Sequence, residues 1–241
     1  MSNNYRVIDT WIDLKERWLI IENIIYYHAS QVGVISILEP RVSNHNIPLI
    51  YLSKKRENVL VYLSNAIEKY CKEKGFKYNG NYSKWGPYGF SKDGKLYIEE
   101  YYPNALINTY KNVSGYIYKA KNVEDSGFEI NIPDAITSIK PVEIYDVEYI
   151  NDAYEEILEA EKDGLIKIIR YEEMSEKKKE WLKNTIKEEY KNAINHPEYR
   201  FFLEEIFPSF IFWYYISFLI LNFTKGRSDS YLFSFYNLDS N

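Results

Sequence analysis

The sequence predicts an α+β fold, and three patterns carry that expectation. Short β-branched and aromatic runs recur at residues 21–27, 48–52, 116–120, 141–147 and 166–171. Among them lie stretches with apolar residues at helical spacing, notably 59–74 and 151–161. From Ser175 the chain turns rich in Lys and Glu and then strongly aromatic, which predicts a helical extension. The expected division is therefore an α+β domain over residues 1–173 and a helical, aromatic-rich C-terminal extension over 174–241.

Taken in order, residues 8–20 place Ile8, Trp11, Ile12, Leu14, Trp18 and Leu19 at roughly helical spacing, predicting a first helix. Residues 21–27 read as a buried strand ending at His28-Ala29-Ser30. The short apolar run 32–38 is stopped by Glu39-Pro40-Arg41, since proline forces the residue before it toward extended backbone. Residues 42–46 form a polar loop, and 48–52 a second short strand. Ser53 is expected to cap a helix running to Lys74, with Arg56-Glu57 in its first turn and Gly75 as its C-cap. Residues 78–94 read as loop and hairpin, with the turn at Lys92-Asp93-Gly94-Lys95. Further strands are expected at 128–132 and near the runs already named. Ser175 opens a Lys/Glu-rich helix to about Asn192, Pro197 breaks it, and Tyr199 starts another. The closing aromatic patch, residues 224–241, predicts a strand or strap.

Composition narrows the function classes. Hydrophobic residues at 46% and charged residues at 27% are ordinary globular values and argue against disorder. A net charge of −5 argues against a nucleic-acid scaffold, because phosphate binding shows as a basic excess. The 25 tyrosines can bury a ring and keep a hydroxyl wet, which places many of them at the edge of the core. Cys71 is the single cysteine, so no internal disulfide can form, and its surroundings lack metal-ligand spacing. The first residues lack the basic start and apolar stretch of a secretion signal, which leaves the cytoplasm as the expected location. Residues 207–223 are apolar but shorter than the roughly 20 residues a membrane span needs. They are expected to form a buried helix or a homo-oligomer contact rather than an anchor.

One constellation points to chemistry. Tyr27-His28-Ala29-Ser30 closes one strand, Ile50-Tyr51-Leu52-Ser53 closes another, and a helix is expected directly after. This order resembles the ADP-ribosyltransferase superfamily, in its diphtheria-toxin and poly(ADP-ribose)-polymerase branch. The resemblance implies a split antiparallel sheet with helices and an NAD site. His28 would bond the ribose with help from Ser30, Ala29 and Ser53 would complete the binding set, and Tyr51 would stack on nicotinamide. A flat ring and fixed donors suit a planar cation and a diol. A carboxylate would stabilise positive charge developing on the sugar. Glu129, Asp134 and Glu143 are the candidates for it by strand context, with Glu143 taken as the catalytic position.

The resemblance further implies transfer of ADP-ribose to a macromolecular substrate in a bacterial or phage toxin or defence setting. The alternative is a non-catalytic interaction protein, such as an antitoxin, immunity or phage accessory factor. Its motivation is the acidic balance together with Tyr side chains suited to a protein partner. No phosphate loop or Ser-His-Asp arrangement accompanies the constellation. His45 and His196 each read as a solvated residue or a helix-terminus charge partner, and the Glu155, Glu156, Glu159 and Glu161 cluster as a solvated helix face.

Overall fold

The computed structural model describes residues 24–42, 45–78, 82–212 and 216. The expected helix at 8–20 and the expected strand or strap at 224–241 lie outside the described residues. The described chain is α+β, and it divides into two compact units, Met1–Met174 and Ser175–Asn241.

Strand alternation organises the first unit. Its larger sheet has the order β2(Ile37–Leu38), β9(Val142–Ile150), β7(Gly115–Ala120), β1(Tyr26–Ser30), β4(Pro48–Ser53), β3(Arg41–Val42), and β8(Ala135–Ser138) also pairs with β4. Every pairing within it is antiparallel. A smaller sheet joins β5(Tyr88–Phe90) to β6(Leu96–Glu99) through the expected turn, and β10(Ile166–Ile169) lies parallel to β6.

Because side chains alternate along a strand, the larger sheet feeds two separate apolar clusters. Ala29 and Ile117 point into the main core with Leu96, Ile98, Ile166 and Ile168 of the smaller sheet. A 3-10 segment, Glu57–Tyr62, and the helices α1(Ala66–Lys74), α2(Ala105–Tyr110) and α3(Ala153–Lys162) accompany these strands. Of these elements, Val59, Leu60, Leu106, Ile157 and Ala160 reach the same core. On the other face Leu38, Ile50, Leu52, Ala120, Ile136 and Val142 form the second cluster. Gly115 opens β7 because a Cβ there would meet Leu63 Cδ2 at 2.6 Å and the Ser30 carbonyl oxygen at 3.0 Å.

Two expectations need correction. The continuous helix from Ser53 to Lys74 is broken in two. The Asn65 side chain accepts from Ile67 N and Glu68 N, capping a fresh helix at Ala66. Gly75 does end that helix, at φ 74°. The expected strand at 128–132 is irregular instead, since Asp125, Ser126 and Asp134 organise turns on either side of it. Conversely, residues 105–110 form a helix that the sequence pattern did not suggest.

Arg56 ties three elements together. Its guanidinium meets Glu148 of β9 at 2.5 Å and Glu156 of α3 at 2.7 Å. These groups are about one-third exposed, so solvent screening keeps the cluster's contribution modest.

The second unit holds α4(Glu176–Asn192) and α5(Pro197–Ile206), the latter carrying Pro in its first turn. The Tyr199 hydroxyl donates to Glu189 at 2.9 Å, and the Tyr190 hydroxyl donates to Glu204. These reciprocal bonds lock the pair while Leu182, Ile186, Phe202 and Leu203 bury their side chains. Among the described residues no helix is long and apolar enough to cross a membrane.

Candidate functional site

The site begins where two strands separate. Strands β1 and β4 share one register point, Tyr27 opposite Ser53. Just beyond it, His28 Nδ1 lies 3.0 Å from the Tyr51 carbonyl oxygen. A carbonyl can only accept, so Nδ1 carries the proton and Nε2 is the acceptor of the neutral ring. The imidazole thus supplies a cross-strand bond where the main-chain ladder stops.

The opened edge becomes a groove of about 460 Å³, lined among others by His28, Ser30, Ile35, Glu39, Arg41 and Leu49. One wall is residues 31–36, which fold back over β7. The Tyr118 hydroxyl donates to the Val32 carbonyl at 2.6 Å, and Ile35 N donates to the same hydroxyl at 3.4 Å. Gly33 fits this crossing because a Cβ there would sit 3.1 Å from the Tyr116 ring. Ser30 Oγ accepts from Val32 N at 3.1 Å, which leaves its own hydroxyl proton available.

Burial holds the His28 pKa below the ordinary 6.5, against the bond to Tyr51, and the Arg41 cation adds to the lowering. His28 is therefore neutral at pH 7, beside a permanent cation. The consequence for stability has a definite sign. The unfolded chain protonates His28 more readily than the folded one, so stability present above pH 6.5 is lost as pH falls through the lowered folded value. Glu148, lowered from 4.5 by Arg56, adds a second loss at more acid pH. Urea midpoints measured between pH 7.5 and 3.5 should fall in these two stages, and His28→Ala should remove only the first.

The implied site residues do not all converge. His28 and Ser30 line the groove. Ala29 alternates with them into the main core, 7% exposed. Tyr51 touches the groove and offers its carbonyl, but alternation along β4 turns its ring with Ser53, to the opposite face of the sheet from His28. There its hydroxyl meets His45 Nδ1 at 2.7 Å, and the His45 ring also contacts Phe128. The face-to-face clamp of imidazole and phenol is therefore corrected: residues 28 and 51 sit one step out of phase across the single rung. Ser53 is buried, and its hydroxyl accepts from Lys55 N at 3.0 Å instead of capping a helix.

The carboxylate expectation changes as well. Glu143 lies opposite Ile37 in the β2–β9 pair, exposed and outside the groove lining. Glu129 lines a different cavity, and Asp134 pairs with Lys55 at 3.0 Å. Glu39 is the carboxylate that lines the groove, and Arg41 is its cation. Sequence reasoning took Glu39-Pro40-Arg41 only as the stop of an apolar run. A sharper signal was available in the proline, which holds two opposite charges on extended backbone at the end of a strand.

No family model, no curated protein and no solved structure matches the chain.

Proposed function

We propose that the protein binds an NAD-type dinucleotide in the groove where β1 and β4 separate. The observation that carries this reading is the fixed His28 imidazole beside the Ser30 hydroxyl, with Arg41 and Glu39 in the same lining. His28 Nε2 and Ser30 would meet the ribose hydroxyls as acceptor and donor. Arg41 supplies a planar fork suited to a diphosphate. Glu39 would stand where a carboxylate stabilises positive charge on the sugar as the nicotinamide bond breaks. On this reading the protein is ADP-ribosyltransferase-like, and a macromolecule accepts the ADP-ribose.

A second reading, binding without transfer, is favoured by one observation: Glu143 lies outside the groove lining while the Tyr51 hydroxyl is engaged by His45. Two measurements separate the readings. Titration calorimetry with NAD should show binding that Arg41→Ala weakens by about 10- to 100-fold, the effect of one charge-assisted contact. Nicotinamide release from NAD, with host lysate as acceptor, should be present in the native protein and lost in Glu39→Gln. Binding with no release at all would establish the second reading, and no heat of binding at millimolar NAD would remove both.

A further inference from the structure

A separate cavity of about 180 Å³ is lined among others by Tyr62, Glu68, Lys84, Trp85, Tyr88 and Tyr110. Two of its walls are rings at right angles: Tyr62 and Tyr88 have centroids 5.4 Å apart and planes inclined by 81°. Lys84 Nζ lies 4.2 Å from the centroid of Tyr88 and donates to its hydroxyl at 3.2 Å. Burial raises the pKa of both phenols, so the rings remain neutral, electron-rich faces. Partial desolvation against the rings lowers the Lys84 pKa, although the residue stays exposed at the mouth of the cavity.

The chain has thus placed an alkylammonium of its own against an aromatic cage. We propose that this cavity binds a small quaternary or methylated ammonium ligand, which displaces Lys84 from the face of Tyr88. Three points support it. A ring quadrupole attracts a cation whatever its substituents, and aromatic cages recognise quaternary ammonium in particular. A quaternary head carries no N–H groups, so it forfeits fewer hydrogen bonds to water than Lys84 does on entry. The size also fits, since an apolar cavity of about 150 Å³ accommodates benzene. Glu68 adds an opposite charge to the lining. The proposal does not depend on the NAD reading, because none of the six residues lines the groove at β1 and β4.

The test is a titration of the full-length protein with choline, followed by the ring-proton NMR shifts of its tyrosines. Lys84→Ala should bind choline about tenfold more tightly than the native chain, because the resident cation no longer competes. Lys84→Gln provides the same comparison should the alanine variant fold poorly. Tyr88→Phe should retain binding, since the ring rather than the hydroxyl holds the cation, and adding Tyr62→Ala to Lys84→Ala should weaken it about tenfold. The proposal is overturned if choline shifts no ring protons in either Lys84 variant. It is equally overturned if 3,3-dimethylbutanol, the uncharged analogue, binds as tightly as choline, or if Tyr88→Phe abolishes binding.

Discussion

Ile117→Ala is expected to lower the unfolding free energy by about 2–5 kcal/mol, among the larger losses a single core truncation gives. Ile117 is fully buried and lies opposite Ala29 on one side and Glu148 on the other. The cavity it leaves would sit in the central strand of the larger sheet, where neighbours held on both sides cannot collapse inward. Urea denaturation checks this: the midpoint should drop while the slope, set by the surface exposed, stays constant. A loss below about 1 kcal/mol would mean that β7 yields more easily than its two ladders indicate.

The second large effect is on binding. His28→Ala is expected to abolish measurable NAD binding and to cost about 1–3 kcal/mol of stability, because the Tyr51 carbonyl loses its donor in a partly buried place. The two consequences can be told apart by calorimetry on the folded variant at low temperature and by its urea midpoint. Ser30→Ala gives the comparison, since within the fold its hydroxyl accepts from Val32 N and carries no cross-strand bond like that of His28. It should weaken binding without a comparable fall in stability. If His28→Ala binds NAD as the native chain does, His28 is a structural rung and nothing more.

Much of the fold was legible because its signals are local. The strand over 115–120, the helix over 153–162 and the left-handed Gly75 follow from alternation, periodicity and conformational freedom that a short window contains. The break at Asn65 was legible too in principle, yet the apolar spacing from Val59 to Tyr70 runs through it and hides it. The site was legible only in part. That His28 and Ser30 share a groove follows from their two-residue spacing. That Tyr51 turns away depends on register, which one main-chain pair between distant segments decides. No pattern within either segment encodes that pairing. Glu39 and Arg41 enter the groove for the same reason, through a fold-back fastened by Tyr118, far away in the chain.

The parallel partnership of β10 with β6 has a kinetic meaning. Leu96 and Ile166 are aligned only across a long intervening stretch that includes three strands of the larger sheet, β7, β8 and β9. Loop closure over such a span is slow compared with zipping a hairpin. Refolding should therefore show β5 and β6 gaining amide protection early, with Ile166–Ile169 among the last segments to be shielded.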